Sequence, residues 1–332
     1  MLVNILVKPG RIELREIPNP KPSYGEILVR VKAALTCGTD LKAFKRGHPV
    51  IPMPGVFGHE FSGIAAEVGK GVKKFKTGDE IMAVHSAPCL ECRYCRKKLF
   101  NLCENIMHTK ILGAFAEYIL LPPHIVQQNT FHKPKNLSFE EAAFLEPLSC
   151  VVHGMESLDI RKGDNALVIG SGPIGLLHLL LLKEKGAVVT VIDKHKNKLL
   201  TAKDLGSDFV LIKNNNVADF IGFDYVFECT GIPEVWEASV NYVRRGGTIV
   251  LFGGCKSGTT VTYDTGRLHY DEINLKGTFH YRPSDVKKAY KLLCEKKINV
   301  SGLISGCYPL RQTHKAFERL SKGAGIKYAI IP

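Results

Sequence analysis

One short run, Gly170-Ser171-Gly172-Pro173-Ile174-Gly175, constrains the fold of this chain more than any other feature. It follows an apolar segment at 165–169 and opens a longer apolar stretch to about residue 185, which reads as strand, tight turn and helix. Glycines at this spacing let the chain turn sharply. They also let backbone N–H groups at the positive end of a helix approach a pyrophosphate. The next apolar segment, 188–192, runs into Asp193, eighteen residues after Gly175. An acid there can bond the hydroxyls of an adenosine ribose and would repel a 2′-phosphate, so NAD is expected over NADP. Helices at 196–205 and 233–243 and strands at 209–212, 224–228, 248–252 and 273–277 continue the alternation. That rhythm predicts a doubly wound parallel sheet with helices on both faces. A chance glycine cluster beside a surface aspartate is the plainer reading, and the strand before it, the helix after it and the acid at the expected interval argue against that.

Residues 1 to about 140 have another texture. Short runs at 26–31, 61–68 and 80–84 are cut by glycine and proline and read as strands. Ser138, followed three residues later by Glu141, has the form of a capping box and announces a helix. The tail reads as helices at 284–296 and 312–322 and a strand at 327–331. A length of 332 residues makes two domains the natural expectation. Hydrophobic content of 45% with 23% charged residues is that of a soluble globular protein. The longest apolar stretch, around 174–182, contains His178 and is too short to span a bilayer. The first residues, MLVNILVKPGRIEL, read as a strand and a turn rather than a secretion signal, so a cytoplasmic protein is expected.

A formal charge of +13 raises the question of nucleic acid. The lysines are scattered along the chain, with only short clusters at 73–76 and 194–198, so a solvated basic surface is the expectation and no nucleic-acid partner is. The cysteines are not scattered. Cys89, Cys92, Cys95 and Cys103 crowd into one short segment with the spacing C-x2-C-x2-C-x7-C. Four thiolates so spaced can close around one tetrahedral zinc, and an all-cysteine shell with no open position is structural. An iron–sulfur cluster or free thiols remain the alternatives on spacing alone. Cys229, Cys255, Cys294 and Cys307 stand apart and read as buried small hydrophobes.

A third signal is softer. Cys37, the His59-Glu60 pair and Glu146 offer a thiolate, an imidazole and carboxylates, the donors of a catalytic zinc with a place left for substrate. Residues so far apart in sequence prove nothing by themselves. Cys37 could be a buried small hydrophobe, and Glu146 before Pro147 a surface acid at a helix end.

Together these pieces resemble the zinc-containing medium-chain alcohol dehydrogenase family, in the branch with polyol and threonine dehydrogenases. The resemblance covers essentially the whole chain. It rests on Gly58-His59-Glu60-Phe61-Ser62-Gly63 with Glu67-Val68-Gly69-Lys70-Gly71-Val72, on Leu35-Thr36-Cys37-Gly38-Thr39-Asp40, on Leu145-Glu146-Pro147-Leu148 and on the four-cysteine segment. It implies a catalytic zinc on Cys37, His59 and Glu146, with Glu60 an occasional fourth ligand, and a structural zinc on Cys89, Cys92, Cys95 and Cys103. Asp40 would hold the His59 ring, and Thr39 would hand the substrate proton outward. Gly170, Gly172, Pro173, Ile174 and Gly175 would line the pyrophosphate turn, with Asp193 and Lys198 at the ribose.

The implied architecture is a chaperonin-10-like irregular β-barrel over 1–143, a Rossmann NAD-binding domain over 144–283, and a return segment, 284–332, on the barrel domain. The implied activity is hydride transfer between NAD and a secondary alcohol or polyol, the products being NADH and a ketone. The implied assembly is a homo-oligomer, dimer or tetramer. A threonine 3-dehydrogenase is the nearest rival, and a zinc-ribbon protein on nucleic acid a remote one. Two departures stand out. Lys42 occupies the place where many relatives have a proton-relaying histidine, and Gly38 follows Cys37 where classical alcohol dehydrogenases have an arginine. His85, His108 and His153 read as packing or surface residues rather than catalytic ones.

Overall fold

Six parallel strands form the sheet foreseen around the glycine turn. The computed structural model of the protein describes residues 1–212 and 222–332. Across the sheet the order is Phe209–Ile212, Val188–Asp193, Asn165–Ile169, Phe223–Glu228, Val243–Leu251 and Asn274–Gly277. Every neighbouring pair is parallel. The chain moves outward from Asn165–Ile169 in one direction and then returns to its other side, so the strand order reverses there. In open α/β sheets ligands gather beyond the carboxyl ends of the strands at such a reversal. Ala166, Leu167 and Val168 are wholly buried, which explains why the strand reads as a continuous apolar run rather than an alternating one.

One expected element differs. The helix anticipated over 233–243 is Pro233–Ala238, followed by a short 3₁₀ turn, Ser239–Asn241. The next strand begins at Val243, well before residue 248. The Ser239 hydroxyl donates to the Trp236 carbonyl at 2.5 Å, a local bond that competes with helix continuation. Gly246 and Gly247 fall between the helix and the strand expected from the sequence. Instead they sit in the strand, and an irregularity in register between Phe223 and Tyr225 absorbs them.

The chain divides into two compact units, Met1–Cys150 with His280–Pro332, and Val151–Phe279. The first is built on a seven-stranded sheet. Its path runs Ile304–Pro309, Lys327–Ile331, Ile27–Leu35, Glu60–Val68, Glu80–Ala83, Thr130–His132, with Tyr118–Leu121 also paired to Ile27–Leu35. A smaller sheet joins Arg11–Glu16, Leu2–Lys8 and Gly55–Val56. The C-terminal strand lies antiparallel to Ile27–Leu35, with Ala329 opposite Leu35. Phe44, Phe57, Phe115 and Phe317 form the aromatic centre of this unit, Phe57 and Phe115 edge to face at 4.9 Å. Offset and edge-on rings of this kind pack densely without face-to-face repulsion.

Candidate active site and dinucleotide site

Three strands and two helices of the first unit converge on one buried polar cluster. Ile27–Leu35 ends just before Thr36 and Cys37, and Cys37 is the N-cap of the helix Gly38–Arg46. Its Sγ accepts from the Thr39 amide at 3.5 Å, and Asp40 lies in the first helical turn. Leu35 pairs with Glu60, the first residue of the neighbouring strand, which brings His59 beside Cys37. Glu146 occupies the first turn of the helix Leu145–Met155. The C-terminal strand adds Lys327, whose Nζ donates to the Thr36 carbonyl at 2.7 Å and to Glu60 Oε2.

The donor atoms form two overlapping sets. Ligand atoms of Cys37, Asp40 and His59 lie within 4.8 Å of one another, as do those of His59, Glu60 and Glu146. His59 belongs to both. Its Nδ1 is 3.4 Å from Asp40 Oδ1. Asp40, His59, Glu60 and Glu146 are all buried.

This pocket gathers several carboxyl groups. Among the described residues, both carboxylate oxygens of Asp40 and Oε1 of Glu60 lack a hydrogen-bond partner. Burial pushes the Glu146 carboxyl up to about 7, and burial likewise raises Glu60 even though Lys327 pulls it down. At His59 burial acts to lower the pKa, but the Asp40 carboxylate and the Cys37 thiolate outweigh it and hold the imidazole well above its usual range. A proton on His59 thus answers part of a demand for positive charge. Carboxylates buried together with oxygens left unbonded are costly, and a divalent cation among them would relieve that cost. The chemistry of the donor set, sulfur with nitrogen and oxygen, fits zinc.

The four-cysteine segment makes a second, independent cluster. The sulfurs of Cys89, Cys92, Cys95 and Cys103 all lie within 4.8 Å of one another. Cys103 Sγ is 3.5 Å from that of Cys89 and 3.9 Å from that of Cys92. Zinc–sulfur bonds of about 2.3 Å in a tetrahedron put the sulfurs about 3.8 Å apart, so the spacing fits. The Cys95 backbone N–H draws Cys92 down to about 6, while burial pushes Cys95 up to about 12. A cation among them would hold all four as thiolates.

The dinucleotide features lie in the second unit. Gly170 leaves the strand Asn165–Ile169 with φ +101°, and Gly172 caps the helix Pro173–Glu184 without any side-chain bond. A Cβ on Gly175 would lie 1.8 Å from the Gly170 carbonyl oxygen, whereas one on Gly172 would meet nothing within 4 Å. The turn is therefore tight below and open above, with uncapped helix N–H groups facing the open side, a fit for a pyrophosphate. Asp193 ends its strand and closes the turn. Its Oδ2 accepts from the Ser171 amide at 2.7 Å and the Ser171 hydroxyl at 2.9 Å, and Oδ1 accepts from the His195 amide at 2.9 Å. Burial works against its ionisation, yet these bonds and the nearby Lys198 charge hold the carboxyl below the usual range.

The sequence overlooked several members of the buried cluster. His85, read there as packing or surface, lies with its Nδ1 3.4 Å from Glu146 Oε1 and its ring 5.0 Å from that of His59. Tyr281 reaches His85 Nδ1 at 3.2 Å through its hydroxyl, and that hydroxyl lies 2.9 Å from the Ser86 Oγ. Lys327 was unremarked. No short-range pattern marks these residues. His108 is exposed and His153 half-buried, and neither belongs to a donor set. The solitary cysteines are less buried than expected: Cys307 is exposed, and Cys229, Cys255 and Cys294 are intermediate.

The Lys327–Glu60 pair has a measurable consequence. Lys327→Met leaves a carboxylate buried without its cation, and a broken buried pair costs about 3–5 kcal/mol. The urea midpoint of the variant falls accordingly, and an unchanged midpoint would show the pair to be structurally idle.

Known proteins resemble this chain along nearly its whole length. The alcohol dehydrogenase GroES-like domain matches residues 23–130 and the zinc-binding dehydrogenase domain matches residues 173–295. A sorbitol dehydrogenase of Halalkalibacterium halodurans is 30% identical over 97% of this chain and 96% of its own. A D-arabitol-phosphate dehydrogenase of Enterococcus avium is 33% identical over 94% of this chain and 91% of its own. The structure of a zinc-binding dehydrogenase of Sinorhizobium meliloti, bound to NADP, superposes with a TM-score of 0.89 at 29% identity, over 100% of this chain and 99% of that one. The chain belongs to the zinc-containing medium-chain alcohol dehydrogenase family. Within it, the protein is a zinc-dependent, NAD-linked oxidoreductase acting on CH–OH donors.

Proposed function

We propose that the chain oxidises a polyol or other small secondary alcohol to its ketone, and reduces it in return, with Cys37, His59 and Glu146 holding the catalytic zinc. The observation that carries this reading is the sharing of His59 between two donor sets in a buried pocket with three carboxylates, Asp40, Glu60 and Glu146. Glu60 serves as an occasional fourth ligand: Lys327 engages its Oε2, while Oε1 has no hydrogen-bond partner among the described residues. Cys89, Cys92, Cys95 and Cys103 hold a structural zinc. Held by Cys37, His59 and Glu146, zinc would supply Lewis acidity toward the oxygen of the alcohol or ketone. Asp40 fixes the tautomer and tilt of the His59 ring. The Thr39 hydroxyl, in the first turn of the helix that Cys37 caps, takes the proton from the alcohol and hands it outward, with no role assigned to Lys42. Gly170, Gly172, Pro173, Ile174 and Gly175 cradle the pyrophosphate, and Asp193 with Lys198 bind the ribose. The metal-binding part is read as 1–143 with 284–332 and the NAD-binding part as 144–283, in a cytoplasmic homo-oligomer, dimer or tetramer.

Two relatives named for sorbitol and for an arabitol phosphate favour a polyol over threonine. Asp193, ionised and half-buried, favours NAD over NADP, because a 2′-phosphate beside it would face like charge. The test is NAD reduction with sorbitol, xylitol, butanediol, inositol and threonine, followed by ultraviolet absorbance. Turnover of a polyol or diol, with NAD preferred over NADP by at least about tenfold, is the expected result. Threonine as the best substrate, or no alcohol-dependent reduction of NAD, would contradict the reading.

A further inference from the structure

Glu228 closes the strand Phe223–Glu228 and is fully buried at its carboxyl end. A strand terminus inside a parallel sheet normally carries an apolar residue, because a buried carboxylate is costly unless it is well bonded. Here it is well bonded, and all in one direction. Oε1 accepts from the Thr230 amide at 2.7 Å, from the Gly231 amide at 3.2 Å and from the Thr230 hydroxyl. Oε2 accepts from the Gly231 amide at 3.2 Å. The Glu228 carbonyl receives the amides of Phe252 and Gly253, at 3.0 and 2.9 Å.

The residues so gripped abut the glycine turn. A Cβ on Gly170 would lie 2.9 Å from Thr230 Cγ2. A Cβ on Gly253 would lie 2.2 Å from the Gly231 nitrogen and 2.7 Å from Glu228 Oε2. One carboxylate thus sets the height of the loop after its own strand, wedged between the turns that follow Asn165–Ile169 and Val243–Leu251. Those strands flank it at the place where the sheet order reverses.

We propose that Glu228 is a positioning residue for the bound dinucleotide, acting through Thr230 and Gly231 to hold the loop that abuts the glycine turn. The inference rests on the dinucleotide reading of that turn. The experiment is a fluorescence titration of the zinc-loaded enzyme with NADH, in the unaltered protein, Glu228→Gln, Thr230→Val and the double variant, with zinc content and both KM values measured alongside. Glu228→Gln and Thr230→Val each weaken NADH binding about tenfold, the loss expected for one hydrogen bond to a buried charge. The KM for NAD rises in step, while zinc content and the KM for the alcohol stay unchanged, a split that a general loss of structure would not produce. Because Glu228 and Thr230 touch and act on the same loop, their losses are not additive, and the double variant falls well short of the product of the single effects. Thr230→Val leaves the buried carboxylate in place, so the inference stays testable if Glu228→Gln folds poorly. Unchanged affinity in either folded single variant, or additive losses of about a hundredfold, would overturn the inference. Failure of the unaltered protein to bind NADH would instead overturn the dinucleotide reading beneath it.

Discussion

Cys37→Ser is expected to retain about one zinc ion per chain where the unaltered protein holds about two, and to lose at least about a thousandfold in kcat/KM. Cys37 caps the helix Gly38–Arg46 and belongs with Asp40 and His59 to one donor set. A serine hydroxyl is a poor replacement for a thiolate as a zinc ligand, since it does not ionise near neutral pH. The remaining zinc should resist chelators, because the four sulfurs of Cys89, Cys92, Cys95 and Cys103 form a separate cluster. Metal analysis beside steady-state kinetics reads both effects. Full zinc content with full turnover in Cys37→Ser would remove Cys37 from the site.

Gly175→Ala should have a comparably large effect on the cofactor and none on the metals. The added methyl would lie 1.8 Å from the Gly170 carbonyl oxygen, a contact with backbone that no rotamer change can relieve. Either the turn or the start of the helix Pro173–Glu184 must move, and with it the cradle of N–H groups. NADH affinity falls by at least about a hundredfold, while zinc content is unchanged. Near-normal NADH binding in the variant would show that the turn does not carry the cofactor.

The contrast between these two sites explains what a reader of the sequence could see. The proposed dinucleotide site is local: strand, glycine turn, helix and Asp193 fall within a single stretch, and the structure keeps those elements nearly to the residue. Apolar periodicity and glycine conformation are short-range physics and can be read along the chain. The cluster around His59 is not local. Glu60 and Lys327 are 267 residues apart, and their pairing depends on a C-terminal strand lying beside Ile27–Leu35. His85 and Tyr281 meet only through tertiary packing. The helix Gly38–Arg46 escaped notice because it begins with glycine, a poor helix former, and its cap is a cysteine rather than a serine or aspartate. The proposed trio of Cys37, His59 and Glu146 comes from family resemblance and not from spacing. Glu228 had no signature at all, since an acid at a strand end looks like a surface residue until its burial is known.

Crystals of the zinc-loaded protein, with diffraction recorded on both sides of the zinc absorption edge, test the metal assignment most directly. The expected anomalous map has one peak enclosed by the sulfurs of Cys89, Cys92, Cys95 and Cys103, and a second bounded by Cys37 Sγ, the His59 ring and the Glu146 carboxylate. A map whose second peak lies elsewhere, or that lacks one, would contradict the assignment.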